Sequence, residues 1–182
     1  MIKQGLGTIA FFILTSMGSM LYKNYLITET IAESDKLIHV MAAFSSFFTV
    51  SFACIFYVLI LFLGRLGTKL CGQNIAKGDL FEVLVSFFIV LSSFEIFKIA
   101  VHHTWLKDSL RFIVLDEAFK HDLAATTWGM YLKLTQLFSL IFLIIVCYVR
   151  LRELNYSVKV SAIFISFIMF GLGVYSIPDF FI

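Results

Sequence analysis

From Leu37 to Leu63 the chain reads LIHVMAAFSSFFTVSFACIFYVLILFL, with no Asp, Glu, Lys or Arg in the run. No other feature constrains the fold as tightly. A hydrocarbon core about 30 Å thick is crossed by about 20 mostly apolar residues in a helix. Lipid offers no partner to free backbone N–H and C=O groups, so a lone segment crosses as a helix. This run is long enough to cross with tilt or to extend past the interface.

Four further stretches approach the same length: Gly5 to Tyr22, Phe81 to Val101, Met130 to Val149 and Val160 to Ile177. The expected fold is therefore all-α, a single-domain integral membrane bundle of about five transmembrane helices. The first stretch follows Lys3, which keeps a signal-anchor reading beside that of a plain crossing. Pro178, the one proline, is expected to mark the end of the fifth helix.

Composition excludes several classes. Hydrophobic residues make up 60% of the 182 positions, against roughly 45–50% in soluble domains. Cys54, Cys71 and Cys147 form no CxxC, and two of them fall in apolar runs where a thiol behaves as a small hydrophobe, so neither a disulfide framework nor a zinc site is expected. The net charge of +2 comes without the aromatic-interleaved basic patch of a nucleic-acid binder. The chain holds no HExxH, GxSxG, Walker A loop or GxGxxG opening a helix. The adjacent carboxylates Asp116 and Glu117 would point about 100° apart on a helix. The expectation is a non-enzymatic protein with no metal and no cofactor.

Charge also sets topology. With five crossings, one side collects Lys3, Arg65, Lys69, Lys77, Arg150, Arg152 and Lys159, mostly in short loops, and the other Lys23, Lys36, Lys107, Arg111 and Lys120. That bias favours a cytoplasmic N-terminus and an extracytoplasmic or lumenal C-terminus. Glu29, Glu33, Asp35, Asp108, Asp116, Glu117, Asp122 and Asp179 all fall on the second side. Between helices three and four, TWLKDSLRFIVLDEAFKHDLAATTW mixes apolar and charged residues between Trp105 and Trp128. It reads as an amphipathic segment on the outer membrane surface with the tryptophans as anchors.

Ionisable residues inside membrane helices are functional-site hypotheses by default. Glu95 and Lys98 lie i,i+3 on the third helix and can neutralise each other. With His39, near the start of helix two, they form the candidate intramembrane polar site; the plainer reading is an ion pair near the outer interface with Lys98 reaching outward. His102 and His103 end helix three near the same interface. Histidines on neighbouring helices can ligate haem or change charge near neutrality, but haem needs a buried pocket. Helix two carries a row of small residues, Ala42, Ser46, Thr49 and Ala53, expected to pack against another helix of the chain, with a homo-oligomer contact as the alternative.

Two passages carry a family resemblance. LILFLGRLGTKLCGQNIAKGDLFEVLVSFFIVLSSFEIF reads as a long helix, a short basic glycine-containing loop and a Phe-led helix; YLKLTQLFSLIFLIIVCYVRLRELNYSVKVSAIFISFIMF reads as a helix, a basic turn and a final helix. Over residues 37–182 the pattern resembles the Yip family of Ypt/Rab-interacting membrane proteins and their bacterial relatives. That resemblance implies a five-helix domain with a cytoplasmic N-terminus and a non-enzymatic role in vesicle traffic or as an exporter accessory. No functional residue is carried over from it.

The leading functional expectation is an accessory or scaffold subunit of a membrane complex or of a transport or trafficking system. Its partners would be the lipid bilayer and other membrane proteins. One alternative is a small permease or channel component with its polar site near Glu95 and Lys98. Another is a cofactor-binding subunit of a membrane redox complex.

Overall fold

The computed structural model describes residues 2–31, 36–106, 108–110 and 126–181, with side chains for 5–27, 29, 40–106, 108–110 and 126–172. The fold is all-helical over these residues. Five long helices follow one another: α1 (Ile2–Ile31), α2 (Lys36–Leu70), α3 (Lys77–Val101), α4 (Thr127–Glu153) and α5 (Val158–Phe181), and α3 runs on into a π-helical turn, His102–Leu106. Among the described residues four segments are long and apolar enough to cross a membrane: Gly5–Ile27, Val40–Leu70, Lys77–Leu110 and Thr127–Glu153. A fifth apolar helix is described over Val158–Leu172. The interfacial segment expected between helices three and four lies, over 111–125, outside the described residues.

Contacts group the chain into two compact units, one of Met1–Ala10, Ala53–Leu91 and Leu140–Ile182, the other of Phe11–Phe52 and Ser92–Ser139. In the first, Leu80, Val83, Leu84, Phe87, Phe88 and Leu91 form the buried stripe of α3, and Val160, Phe164, Ile168 and Leu172 that of α5. The steps of three and four residues are those of one helix face.

All five helices exceed their expected spans, and α2 departs in kind. GRLGTKL, read from sequence as a loop, is the last two turns of that helix. Its glycines serve close packing rather than a bend. A Cβ on Gly64 would stand 2.9 Å from the Phe164 ring, one on Gly171 2.8 Å from Ile60 Cγ1, and one on Gly67 would run into the Phe167 ring. Small residues let membrane helices approach in this way.

The helix stops at Gly72, whose φ of 76° is costly for any residue with a Cβ. Around it the Gln73 N–H reaches the Thr68 carbonyl at 3.0 Å and the Gly72 N–H that of Lys69 at 3.1 Å, a Schellman cap. The end of α4 repeats the device with Asn155 at φ 63°, where the Tyr156 N–H bonds the Leu151 carbonyl at 3.0 Å and the Asn155 N–H that of Arg152 at 3.1 Å. Ser157 then caps α5, its Oγ accepting from the Val160 N–H at 3.3 Å.

One phenol ties the two turns together. Tyr156 Oη accepts from the Ala76 N–H at 2.9 Å and donates to Asp79 Oδ2 at 2.6 Å. Arg65 Nε donates to the Ile75 carbonyl at 2.7 Å, and Arg150 pairs with both Glu82 and Glu153 at 2.7 Å. Burial first, then the hydrogen bond to Asp79, holds the Tyr156 phenol above its ordinary value of 10.

Pro178 does not end α5, which continues to Phe181. So close to the terminus a proline forfeits one backbone hydrogen bond, and membrane helices tolerate such a loss.

Candidate functional site

The second unit has a polar interior. On α1 the inward face runs Phe12, Ser16, Ser19 and Leu26, all buried, at steps of four, three and seven residues. Lys23 stands between Ser19 and Leu26 at helical spacing, so it occupies a place on that same face and is half-buried. On α3 the face runs through Ser92 at 1% exposed and His102 at 3%, with Glu95 and Lys98 at the intervening positions. Ser46 of α2 and Thr135 of α4 are buried as well.

Neighbouring contacts hold these groups in register. Asn24 Nδ2 donates to Ser46 Oγ at 3.1 Å, and that hydroxyl donates to the Ala42 carbonyl at 2.7 Å. Tyr22 Oη and His103 Nδ1 are 2.6 Å apart, with the two rings stacked at 6.2 Å between centroids. Beneath them Leu26, Val101, Leu106, Leu110 and Trp128 make a small apolar cluster. Trp105 stacks on Tyr131 at 4.2 Å.

Trp128 fixes the state of one imidazole. Its indole Nε1–H donates to His102 Nδ1 at 3.0 Å. An indole nitrogen can only donate, so Nδ1 carries no proton, the ring is neutral and its N–H lies on Nε2. Trp128 is thus 7% exposed and held inside the packing, where a surface anchor had been expected. The π-helical turn begins at His102; such turns are frequent at functional sites.

Glu95 and Lys98 form the expected ion pair, Nζ to Oε1 at 2.7 Å, with side chains 12% and 21% exposed. Lys23 lies within electrostatic reach of Lys98, and His102 of both lysines. Lys23 has no hydrogen bond or ion pair among the described residues. His39, the third expected member, is in the helical part of α2, and its side chain lies outside the described residues.

With the first apolar run ending at Tyr22, Lys23 is expected in an outer loop. In the structure that span reaches Ile27. The signal was present in Tyr25, Leu26 and Ile27, which resume the apolar pattern after a single charged residue and Asn24. The small-residue row of α2 divides, with Ser46 buried and Thr49 exposed, its hydroxyl donating to the Ser45 carbonyl at 2.9 Å.

Among the described residues no three His, Cys, Asp or Glu side chains converge as a metal ion would need. The three cysteines are free, two of them buried. No family model, curated protein or solved structure matches the chain.

Proposed function

We propose that this chain is a non-enzymatic, multi-pass membrane protein that acts as a small permease or channel component, with the polar interior of the second unit as its working part. The observation that carries the reading is the alignment of half-buried Lys23 with buried Ser16 and Ser19 on α1, together with a face of α3 that bears buried Ser92, the Glu95–Lys98 ion pair and, in the turn that follows, buried His102. Charged and hydroxyl side chains on inward faces cost insertion energy that lipid-facing apolar residues would not.

Reconstituted vesicles test this with dye-reported flux of protons, sodium, chloride and phosphate. Wild-type protein should conduct one of these, and Glu95→Gln should abolish the flux. Absence of any flux, or flux unchanged in the variant, would refute the assignment.

A second reading, an accessory or scaffold subunit, is favoured by a different observation. Along α2 the residues Met41, Phe44, Phe48, Phe52, Ile55, Leu59, Phe62, Leu66 and Leu70 are all exposed and recur every three or four positions. Such a row suits lipid or a partner helix, and the role agrees with what the Yip resemblance implies. Photo-crosslinkers at Phe44 and Leu59 should then capture one discrete membrane protein, with none captured from buried Val50; lipid adducts alone would sink this reading.

Short basic turns at the α2–α3 and α4–α5 ends support a cytoplasmic N-terminus for either role.

A further inference from the structure

The outer face of α2 is furrowed near its end. Leu59, Leu63 and Leu66 make one row and Phe62, Arg65 and Lys69 the next, and together they line a groove of about 310 Å³. Steps of three and four residues keep each row on one side of the helix. Gly64 and Gly67 take the other side, against Phe164 and Phe167 of α5. The groove is thus left open on the face that α5 does not cover.

Its two ends differ in chemistry. The walls are apolar from Leu59 to Leu66, while Arg65 and Lys69 bring two cations to the end nearest the cap at Gly72. Arg65 is fixed there, because its Nε donates to the Ile75 carbonyl at 2.7 Å. Its other N–H groups, and the exposed Lys69 ammonium, have no hydrogen bond or ion pair among the described residues. Nor do the carboxylates of the first unit compete for them. Asp79 takes the Tyr156 hydroxyl, and Glu82 and Glu153 take Arg150. Asp179 is in the last turn of α5, at the far end of that helix from Tyr156.

The groove also has the length of one leaflet. Leu59 to Lys69 rises about 15 Å along the helix, half of a hydrocarbon core about 30 Å thick. The span Val40–Leu70 ends directly after Lys69, so the cations stand at headgroup level and the leucines at the level of acyl chains.

We propose that this groove binds one anionic phospholipid, with an acyl chain along Leu59, Phe62, Leu63 and Leu66 and the headgroup phosphate on Arg65 and Lys69. A guanidinium offers paired N–H groups to phosphate oxygens, and an ammonium adds a compact charge. The end of a helix carries about half a negative charge, which two cations outweigh. A second copy of the chain, set beside this one in the same membrane, would bring the same two cations to the same level. An anionic lipid brings the opposite charge together with the apolar chain.

The groove belongs to the first unit, so the inference does not rest on the polar interior being a pathway. Native mass spectrometry of the full chain in detergent, titrated with phosphatidylglycerol or phosphatidylcholine, tests it. A basic side chain beside an anionic headgroup is worth about fivefold in affinity. The first phosphatidylglycerol should bind at least about fivefold more tightly than the first phosphatidylcholine. Lys69→Gln should lose about fivefold of that preference, and Lys69→Arg should keep it. Lys159→Gln removes an exposed cation of the same unit that does not line the groove, and should change nothing. Leu63→Trp, which fills the groove, should weaken the first binding step of both lipids.

Equal affinity for the two lipids would overturn the proposal, because the face would then be solvated by lipid without a site. An equal loss in Lys69→Gln and Lys159→Gln would overturn it too, leaving only a diffuse basic surface. So would a dimer that Leu63→Trp breaks while lipid binding stays unchanged, since a second copy would then occupy the groove. Arg65→Gln should act as Lys69→Gln does; where loss of its bond to Ile75 prevents folding, the two Lys69 variants decide.

Discussion

Replacing Gly64 and Gly67 by alanine, one at a time, separates how close two helices come from how easily the contact relaxes. Judged by distance, Gly67 is the worse site, because its added Cβ would overlap the Phe167 ring while that on Gly64 would stand 2.9 Å from Phe164. The ability to move ranks them the other way. Phe164 is 0% exposed, with no empty direction to turn into, whereas Phe167 is 40% exposed and can swing outward. Overpacking a filled site costs about 1–3 kcal/mol, and exchanging glycine for alanine in a helix returns up to about 1 kcal/mol. Gly64→Ala should therefore be destabilised by up to about 2 kcal/mol. Gly67→Ala should be neutral or more stable by up to about 1 kcal/mol, since turning an exposed ring costs little. Reversible unfolding in mixed micelles of a mild detergent and dodecyl sulfate reads both variants on one scale. Shortening the obstructing ring in Gly64→Ala/Phe164→Leu should recover part of the loss, though it also gives up buried aromatic area. A Gly67→Ala variant as destabilised as Gly64→Ala would refute the reasoning, because distance alone would then govern.

Tyr156→Phe removes the hydroxyl that joins Ala76 to Asp79 and should cost about 1–2 kcal/mol in the same assay. Because the folded state holds the Tyr156 phenol above its ordinary value, its contribution is fully present below pH 10 and is lost as pH rises through the raised folded value; Tyr156→Phe should lack that alkaline loss. Trp128→Phe leaves the buried His102 Nδ1 without its donor and should cost about 1–3 kcal/mol, with the imidazole N–H no longer confined to Nε2 in nitrogen-15 NMR spectra. Glu82→Gln should change stability by less than about 1 kcal/mol, since both it and Arg150 are more than a third exposed and solvent screens the pair.

The residues that were legible in the sequence are those whose meaning is set by the solvent. Apolar runs identify helices because a bilayer admits little else, and an i,i+3 carboxylate and ammonium on one helix can meet whatever surrounds them, as Glu95 and Lys98 do. Misread residues take their meaning from another helix. Gly64 and Gly67 look like turn residues until Phe164 and Phe167 are set against them. Trp128 looks like a surface anchor until His102 is placed under its indole. Lys23 is the most consequential case. Taken alone, a lysine after an apolar run is the ordinary sign that a membrane helix has ended. Only the periodicity through Ser16, Ser19 and Leu26 puts it on the inward face, and only α3 brings Lys98 and His102 to it. The ion pair is legible because both of its members share one helix. The charge that the hydrophobic pattern assigns to water is instead carried within the first span, which runs on to Ile27.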